Sequence, residues 1–369
     1  MRILKYLKSL KFLFNKYPPY IVLFPTSRCN ASCEHCFNWK NAKDSINRKE
    51  LSLNEIEKTF KDYGRIMYLS ISGGEPTLRD DIDQICYVLY KNNGLRYVAL
   101  HTNGHLSEKI RDISKHIVKK CPDLFLNVCI SIDGDRYNSH DKIRKLKGNF
   151  NNIVKTITLL KELEQSHDNI GITSASVLSS LNKNNMNNIY DFVNRKLKIS
   201  HGAILIRGDI ENDRLKDVSI DEYNNFYSYA KNYKNKIEDA HLYSKLRRIV
   251  ESLIPFIIIK TLQTNRMVLP CQAGKKAIVV YDNGDVFPCE QLNQKMGNIR
   301  EINYNIIKIL SSENSKKILN NIKETKCYCT WECMIPINLI FSLKGELLVI
   351  KNCFKLIKNW FFSRFRKLI

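Results

Sequence analysis

Cys29, Cys33 and Cys36 fall within Thr26-Ser-Arg-Cys-Asn-Ala-Ser-Cys-Glu-His-Cys36, spaced first by three residues and then by two. Three thiolates on one flexible loop can converge on three irons of a cubane and leave the fourth iron open to a substrate or cofactor. A structural zinc site wants a fourth His or Cys, and His35 sits too tightly between Glu34 and Cys36 to serve easily. Three merely buried thiols are the remaining alternative. A second group, Cys271, Cys289, Cys327, Cys329 and Cys333, offers five thiolates around a hairpin and a helix. That is enough for one four-ligand cluster with a residue over, and it would equally suit a tetrahedral zinc knuckle. Cys86, Cys121 and Cys129 lie in helix or strand patterns and read as small buried apolar residues.

The elements that must position these residues alternate between two periods. Strand candidates are Tyr20 to Thr26, Met67 to Ser72, Tyr97 to Thr102, Leu124 to Asp133, Ile170 to Val177 and Gly202 to Ile206. Between them lie helical patterns. The first opens at Ser52 with Glu55 three residues on, a capping-box signature. The second carries Ile82, Ile85, Cys86 and Leu89, and later ones centre on Ile113, Ile157 and Ile189. Six β-then-α units in series predict an α/β fold with a parallel sheet, closed or partly closed into a barrel. In such sheets chemistry gathers at the carboxyl ends of the strands. Here those ends are the cysteine loop, Ser72-Gly-Gly-Glu-Pro76, Thr102-Asn-Gly104 and Ser131-Ile-Asp-Gly134.

On these residues the chain resembles the radical S-adenosylmethionine (radical SAM) superfamily, whose signature is C-x3-C-x2-C after the first strand of a partial (βα)6 TIM-like barrel. Cys29, Cys33 and Cys36 match the signature, and Gly73-Gly-Glu-Pro76 matches the element at the second strand end. The resemblance covers about Tyr20 to Ile206. It implies a catalytic [4Fe-4S] cluster whose open iron binds S-adenosylmethionine, and an electron donor such as flavodoxin or ferredoxin. It also implies a 5′-deoxyadenosyl radical that abstracts a substrate hydrogen. Under it Gly73 and Gly74 let the backbone approach the cofactor, and Glu75 accepts from the cofactor's ammonium group. Thr102 and Asn103 form a further strand-end contact, and Ser131 and Asp133 suit a ribose or carboxylate. Arg144 faces the cofactor carboxylate, and His35 stands near the adenine. The bland alternatives are a tight turn at the glycines, caps or turns at the other strand ends, and a solvated charge at Arg144.

Gly284-Asp-Val-Phe-Pro-Cys289, followed by Gly297-Asn-Ile299, resembles the C-terminal SPASM or twitch domains of radical enzymes, which bind auxiliary [4Fe-4S] clusters. The run C-x-C-x3-C at Cys327, Cys329 and Cys333 is shorter than in the two-cluster form, so one auxiliary cluster is expected. Asp282-Asn-Gly284 between apolar runs is a hairpin signal, and a helical stretch follows from about Ile302 to Ile322.

The expected organisation is a basic amphipathic segment at 1–19, the barrel at 20–210, a helical connector at 211–266, the auxiliary domain at 267–335 and a second basic amphipathic segment at 336–369. Residues 1 to 16 carry five positive side chains and no acid, and 351 to 369 carry six and none. Ile3, Leu7, Leu10 and Phe14 share a helical face, as do Phe354, Ile357, Phe361 and Leu368 with Trp360 beside them. Such segments either lie on an anionic membrane or pack as ordinary surface helices. The net charge of +22 accompanies abundant Asn and Ile, so no nucleic-acid partner is expected. Twelve cysteines without a cleavable signal point to a reducing, cytoplasmic setting, with peripheral membrane contact as an option. A small or lipid-linked, sugar-like or polyol-like substrate is the first expectation. A ribosomally made peptide is the second, and a non-catalytic metal-binding protein the third.

Overall fold

The computed structural model describes residues 15–234 and 242–365. Six parallel strands come first: β1 (Tyr20–Leu23), β2 (Tyr68–Ile71), β3 (Tyr97–Thr102), β4 (Phe125–Ser131), β5 (Ile170–Leu178) and β6 (Ser200–Leu205). The helices between them are α1 (Trp39–Lys43), α2 (Leu53–Phe60), α3 (Ile82–Asn93), α4 (Ser107–Lys120), α5 (Tyr137–Arg144), α6 (Asn149–Ser166) and α7 (Met186–Asp191). The capping box at Ser52 and Glu55 forms as expected, each side chain bonding the other's backbone N–H. Strand β1 stops short of the predicted Thr26 because Pro25 has no N–H to donate.

The sheet has two unlike faces. One carries Ile21, Leu23, Leu69, Ile71, Val98, Leu100, Leu126, Val128 and Ile130, all at 1% exposure or less. Helices cover apolar rows of this kind with residues such as Ile56, Ile85, Leu89, Ile110, Ile117 and Leu160. Each such side chain taken out of water stabilises the fold by about 1.5–3 kcal/mol. The other face starts, at the amino ends of the strands, with an aromatic ladder in one register: Tyr20, Tyr68, Tyr97 and Phe125. Their ring centroids are 4.5, 4.7 and 5.6 Å apart. Above the ladder come small and polar residues, Ser70, Ala99, Asn127 and Gly171 in one rung and His101, Cys129 and Thr173 in the next.

The predicted hairpin forms between β7 (Ala277–Val280) and β8 (Asp285–Phe287), with β9 (Gly297–Asn298) beyond it. Its placement was not legible in the sequence: β7 runs parallel to β1, pairing Tyr20 with Ala277 through Leu23 with Val280. One nine-stranded sheet results, ordered β6-β5-β4-β3-β2-β1-β7-β8-β9, and it does not close on itself. Both β1 and β7 are buried along their whole length, so each needs backbone partners on both sides. The single helical stretch expected from Ile302 to Ile322 is two helices, α10 (Ile306–Leu310) and α11 (Glu313–Glu324). The Ser312 hydroxyl accepts from Ser315 N–H at 3.1 Å and so starts the second.

The chain forms two compact units. The first contains the chain up to Val218 together with Ala273–Leu319, and the second Ser219–Gln272 with Asn320 onward. The second unit is helical, with α8 (Ile220–Lys234), α9 (Leu242–Thr264), α12 (Met334–Ile340) and α13 (Leu343–Phe365). Leu253, Ile258, Trp331, Ile335 and Leu339 are among its buried side chains. Among the described residues no helix is long and apolar enough to cross a membrane. Most of the basic N-terminal segment, and the end of the C-terminal one, lie outside the described residues.

Candidate active site at the carboxyl rim of the sheet

The cysteine loop leaves β1 through Phe24, whose N–H donates to Val280 O at 2.9 Å, and enters a buried stretch at Thr26 and Ser27. Three neighbours hold it. Asp282, in the hairpin turn and 1% exposed, accepts from Ser27 N–H at 3.0 Å and from Arg48 Nε at 2.9 Å. From the end of β2, Gly74 N–H donates to Thr26 O at 2.9 Å and Glu75 N–H to Arg28 O at 2.8 Å. From α5, Ile143 O accepts from Glu34 N–H at 3.1 Å, and Arg144 Nη1 lies 3.5 Å from Cys33 Sγ as a donor.

This contact gives the two glycines a reason within the chain itself. A Cβ on Gly74 would stand 2.1 Å from Arg28 O, and one on Gly73, at φ +117°, 2.5 Å from Thr26 O. What they let approach is the backbone of the cysteine loop itself. Glu75 is likewise committed within the chain. Its Oε1 accepts from Thr77 Oγ1 at 2.6 Å, Thr77 N–H at 3.2 Å and Thr102 Oγ1 at 2.8 Å, and its Oε2 from Asn103 N–H at 2.7 Å. Glu75 therefore braces the ends of β2 and β3, and Oε2, with a single donor, keeps an acceptor site of the kind a cofactor ammonium group would use. Burial pushes its pKa up, against the pull of these donors. Asn103 Nδ2 continues the tie to Asn30 Oδ1 in the cysteine loop at 2.7 Å.

Asp133 is fully buried and also occupied: Oδ2 accepts from Arg144 Nε at 2.7 Å and Oδ1 from Val177 N–H at 2.8 Å. Burial opposes its ionisation, but Arg144, with His35 and His140, holds the carboxyl below its ordinary range. Ser131 lies half-buried at the end of β4. His35 is buried with Nε2 3.7 Å from Asp133 Oδ2, and desolvation lowers its pKa to about 4, so the ring is neutral at pH 7. The structure thus brings His35, Asp133 and Arg144 together beside Cys33, as a linked set that presents the cysteine loop.

Burial raises the Cys29 thiol to about 12 and the Cys36 thiol to about 11, and in both cases a neighbouring cysteine adds to the shift. Mutually repelling, desolvated thiols become thiolates once a cationic centre shares their charge. Ser27 Oγ, His35 Nδ1, Asn38 Nδ2 and Trp39 Nε1 are buried without a hydrogen-bond partner among the described residues. Orphaned polar atoms on residues before, within and after the three-cysteine run fit a cluster and a polar cofactor bound at this rim. Among the described residues no three His, Cys, Asp or Glu side chains form a cage for a single metal ion.

Other members of the rim carried no sequence signal beyond their residue type. Arg79 donates to Pro25 O at 2.9 Å and Leu51 O at 2.8 Å, fixing the start of the loop. Arg207 pairs with buried Glu290 at 3.3 Å and stands 6.0 Å from the Phe37 ring centre. Burial, then Arg207, lowers His101 to about 4. Cys289 is buried in the first unit, where its Sγ accepts from Leu292 N–H at 3.3 Å. Cys271, Cys327 and Cys333 are half-buried in the second unit, and Cys329 is exposed.

Comparison with known proteins agrees with this geometry. Residues 23–193 match the model of the radical SAM superfamily, and 271–334 match SPASM, an iron-sulfur cluster-binding domain. An AdoMet-dependent heme synthase of Methanosarcina barkeri is 26% identical over 286 residues, covering 75% of this chain and 78% of that protein. The antilisterial bacteriocin subtilosin biosynthesis protein AlbA of Bacillus subtilis is 26% identical over 296 residues, 76% of this chain and 57% of the longer AlbA. In fold, SuiB of Streptococcus suis bound to S-adenosylmethionine superposes with a TM-score of 0.57 at 18% identity, covering 92% of this chain and 76% of SuiB. Native anSMEcpe with bound AdoMet gives 0.58 at 16% identity, covering 92% and 98%. The chain carries a radical SAM domain over 23–193 and a SPASM domain over 271–334. It is an enzyme with a SPASM-type iron-sulfur region, and its cofactors are S-adenosylmethionine, a catalytic [4Fe-4S] cluster and auxiliary iron-sulfur.

Proposed function

We propose that the enzyme oxidatively modifies a peptide, with hydrogen abstraction from a side chain as the first step. The observation that carries this reading is the pairing of the rim's buried cations. Arg144 is bound to Asp133 and Arg207 to Glu290, so neither adds net positive charge for a polyanionic small molecule. Neutral polar groups such as Asn127, Thr173 and Ser70, on the sheet face above the aromatic ladder, suit amide and hydroxyl partners. AlbA, named for biosynthesis of the bacteriocin subtilosin, the mycofactocin maturase MftC of Mycolicibacterium smegmatis, and SuiB, solved bound to precursor peptide SuiA, support it from the side of likeness. A small or lipid-linked substrate, the first expectation from the sequence, ranks second. The haem synthase relative is the observation in its favour.

Cys29, Cys33 and Cys36 hold the catalytic cluster in this reading, and Cys271, Cys289, Cys333 and one of Cys327 or Cys329 a single auxiliary cluster. Bound cluster and S-adenosylmethionine supply a carbon radical able to take hydrogen from an unactivated C–H bond. The chain's own residues do the rest. Arg144 stays charged against Asp133 and Cys33 and places its fork at the thiolate loop. Neutral His35 offers a donor or acceptor at Nδ1 without bringing charge.

The test is anaerobic incubation of the reconstituted enzyme, dithionite and S-adenosylmethionine with synthetic peptides encoded beside its gene. Expected is 5′-deoxyadenosine in step with a peptide that has lost two hydrogens, one as the hydrogen atom carried off in 5′-deoxyadenosine and one as a proton released to solvent, its electron taken by the auxiliary iron-sulfur. Turnover of a small molecule with every peptide left unchanged would refute the peptide reading.

A further inference from the structure

Helix α13 carries an apolar stripe that the catalytic account does not use. Gly345 seats its first turn on α12, since a Cβ there would lie 2.5 Å from Leu339 Cα. Half-buried Leu348, Val349 and Asn352 follow on the same side of the helix. At roughly 100° per residue, the opposite side holds Leu343, Leu347, Ile350 and Phe354, which are 80%, 66%, 49% and 68% exposed. In the sequence, Ile357, Phe361 and Phe365 continue the same spacing. A row of large apolar side chains left in water marks an interaction surface.

Charge selects the partner. Exposed Lys344 and Lys351 line one flank of the stripe and exposed Glu346 the other, and beyond it residues 351–369 contain six basic side chains and no acid, so the helix is net basic. A second copy of a chain with net charge +22 would bring like charges together along this helix. No described helix is apolar enough to span a bilayer, so a lipid-bound α13 lies in the interface plane. We propose that α13 docks on an anionic lipid surface, with its exposed stripe among the upper acyl chains and its lysines at the head groups.

The test uses the full-length reconstituted enzyme, sedimented with phosphatidylcholine vesicles with and without phosphatidylglycerol. Binding to the anionic vesicles alone, weakened by salt, is expected. The exposed pair Leu347→Glu and Phe354→Glu should lower the bound fraction about tenfold or more, and Lys351→Glu about fivefold. Unchanged melting temperature and 5′-deoxyadenosine formation in these variants would show that only docking was altered. Equal binding to neutral vesicles, no binding, or variants that bind like the parent would overturn the proposal. So would a concentration-dependent dimer that L347E/F354E dissolves, because it would assign the stripe to a second copy. None of these outcomes depends on whether the substrate is a peptide.

Discussion

Glu75 and Asp133 show how far a residue's type can be read without its surroundings. Both were recognisable as strand-end carboxylates, and both also brace the chain itself through donors on other elements, which no single sequence displays. Replacing Glu75 with Gln puts an amide donor where the carboxylate accepts from Thr77, Thr102 and Asn103. A loss of about 1–3 kcal/mol is expected, measurable by urea unfolding of the cluster-free protein. Asp133→Ala leaves Arg144 buried with its main counter-charge gone and should cost about 3–5 kcal/mol. The cysteine triad was legible because its spacing alone specifies three ligands and an open position. The triple variant Cys29→Ala, Cys33→Ala, Cys36→Ala should keep the auxiliary iron and sulfide and lose the catalytic share; loss of all iron would count against a second site.

At the scale of elements, periodicity located the six strands of the parallel run and five of the seven helices between them; it missed the short α1 and α5. It did not show that the segments after β2 and β7 converge on one loop, because that depends on pairing and not on pattern. Gly74→Ala tests the convergence: its methyl would drive into Arg28 O, so iron at the catalytic site should fall with far-UV circular dichroism intact. Gly202, where an added Cβ meets nothing within 4 Å, is the neutral control. The capping residue Glu55 also accepts from Arg300 Nε at 2.8 Å and Tyr304 Oη at 2.9 Å, tying α2 to the segment after β9. Arg300 above all holds its carboxyl far below the ordinary carboxylate range. A depressed folded-state pKa means the stabilisation is complete above the unfolded-state value and drains away as pH falls. Glu55→Gln keeps the cap, so its deficit against the parent in urea should be largest near neutrality and shrink under acid.

At the scale of the whole molecule, the domain order read from the sequence describes the chain but not its connectivity in space. The hairpin assigned to a C-terminal region completes the first unit by covering the edge of β1. A fragment ending at Val218 would expose that fully buried strand, and it should aggregate or fail to retain iron where the full chain retains it. Measuring soluble yield and iron per chain for the two decides this. The bond from Ser27 to Asp282 spans 255 residues of sequence. During synthesis at ~5–20 residues per second, the cysteine loop therefore waits on the order of 10–50 s for the side chain that fixes it. Until then its thiols are tethered to an unfinished sheet and open to oxygen and stray metals. The final shape of the ligand loop is thus set late, by translation of the hairpin and not by emergence of the ligands.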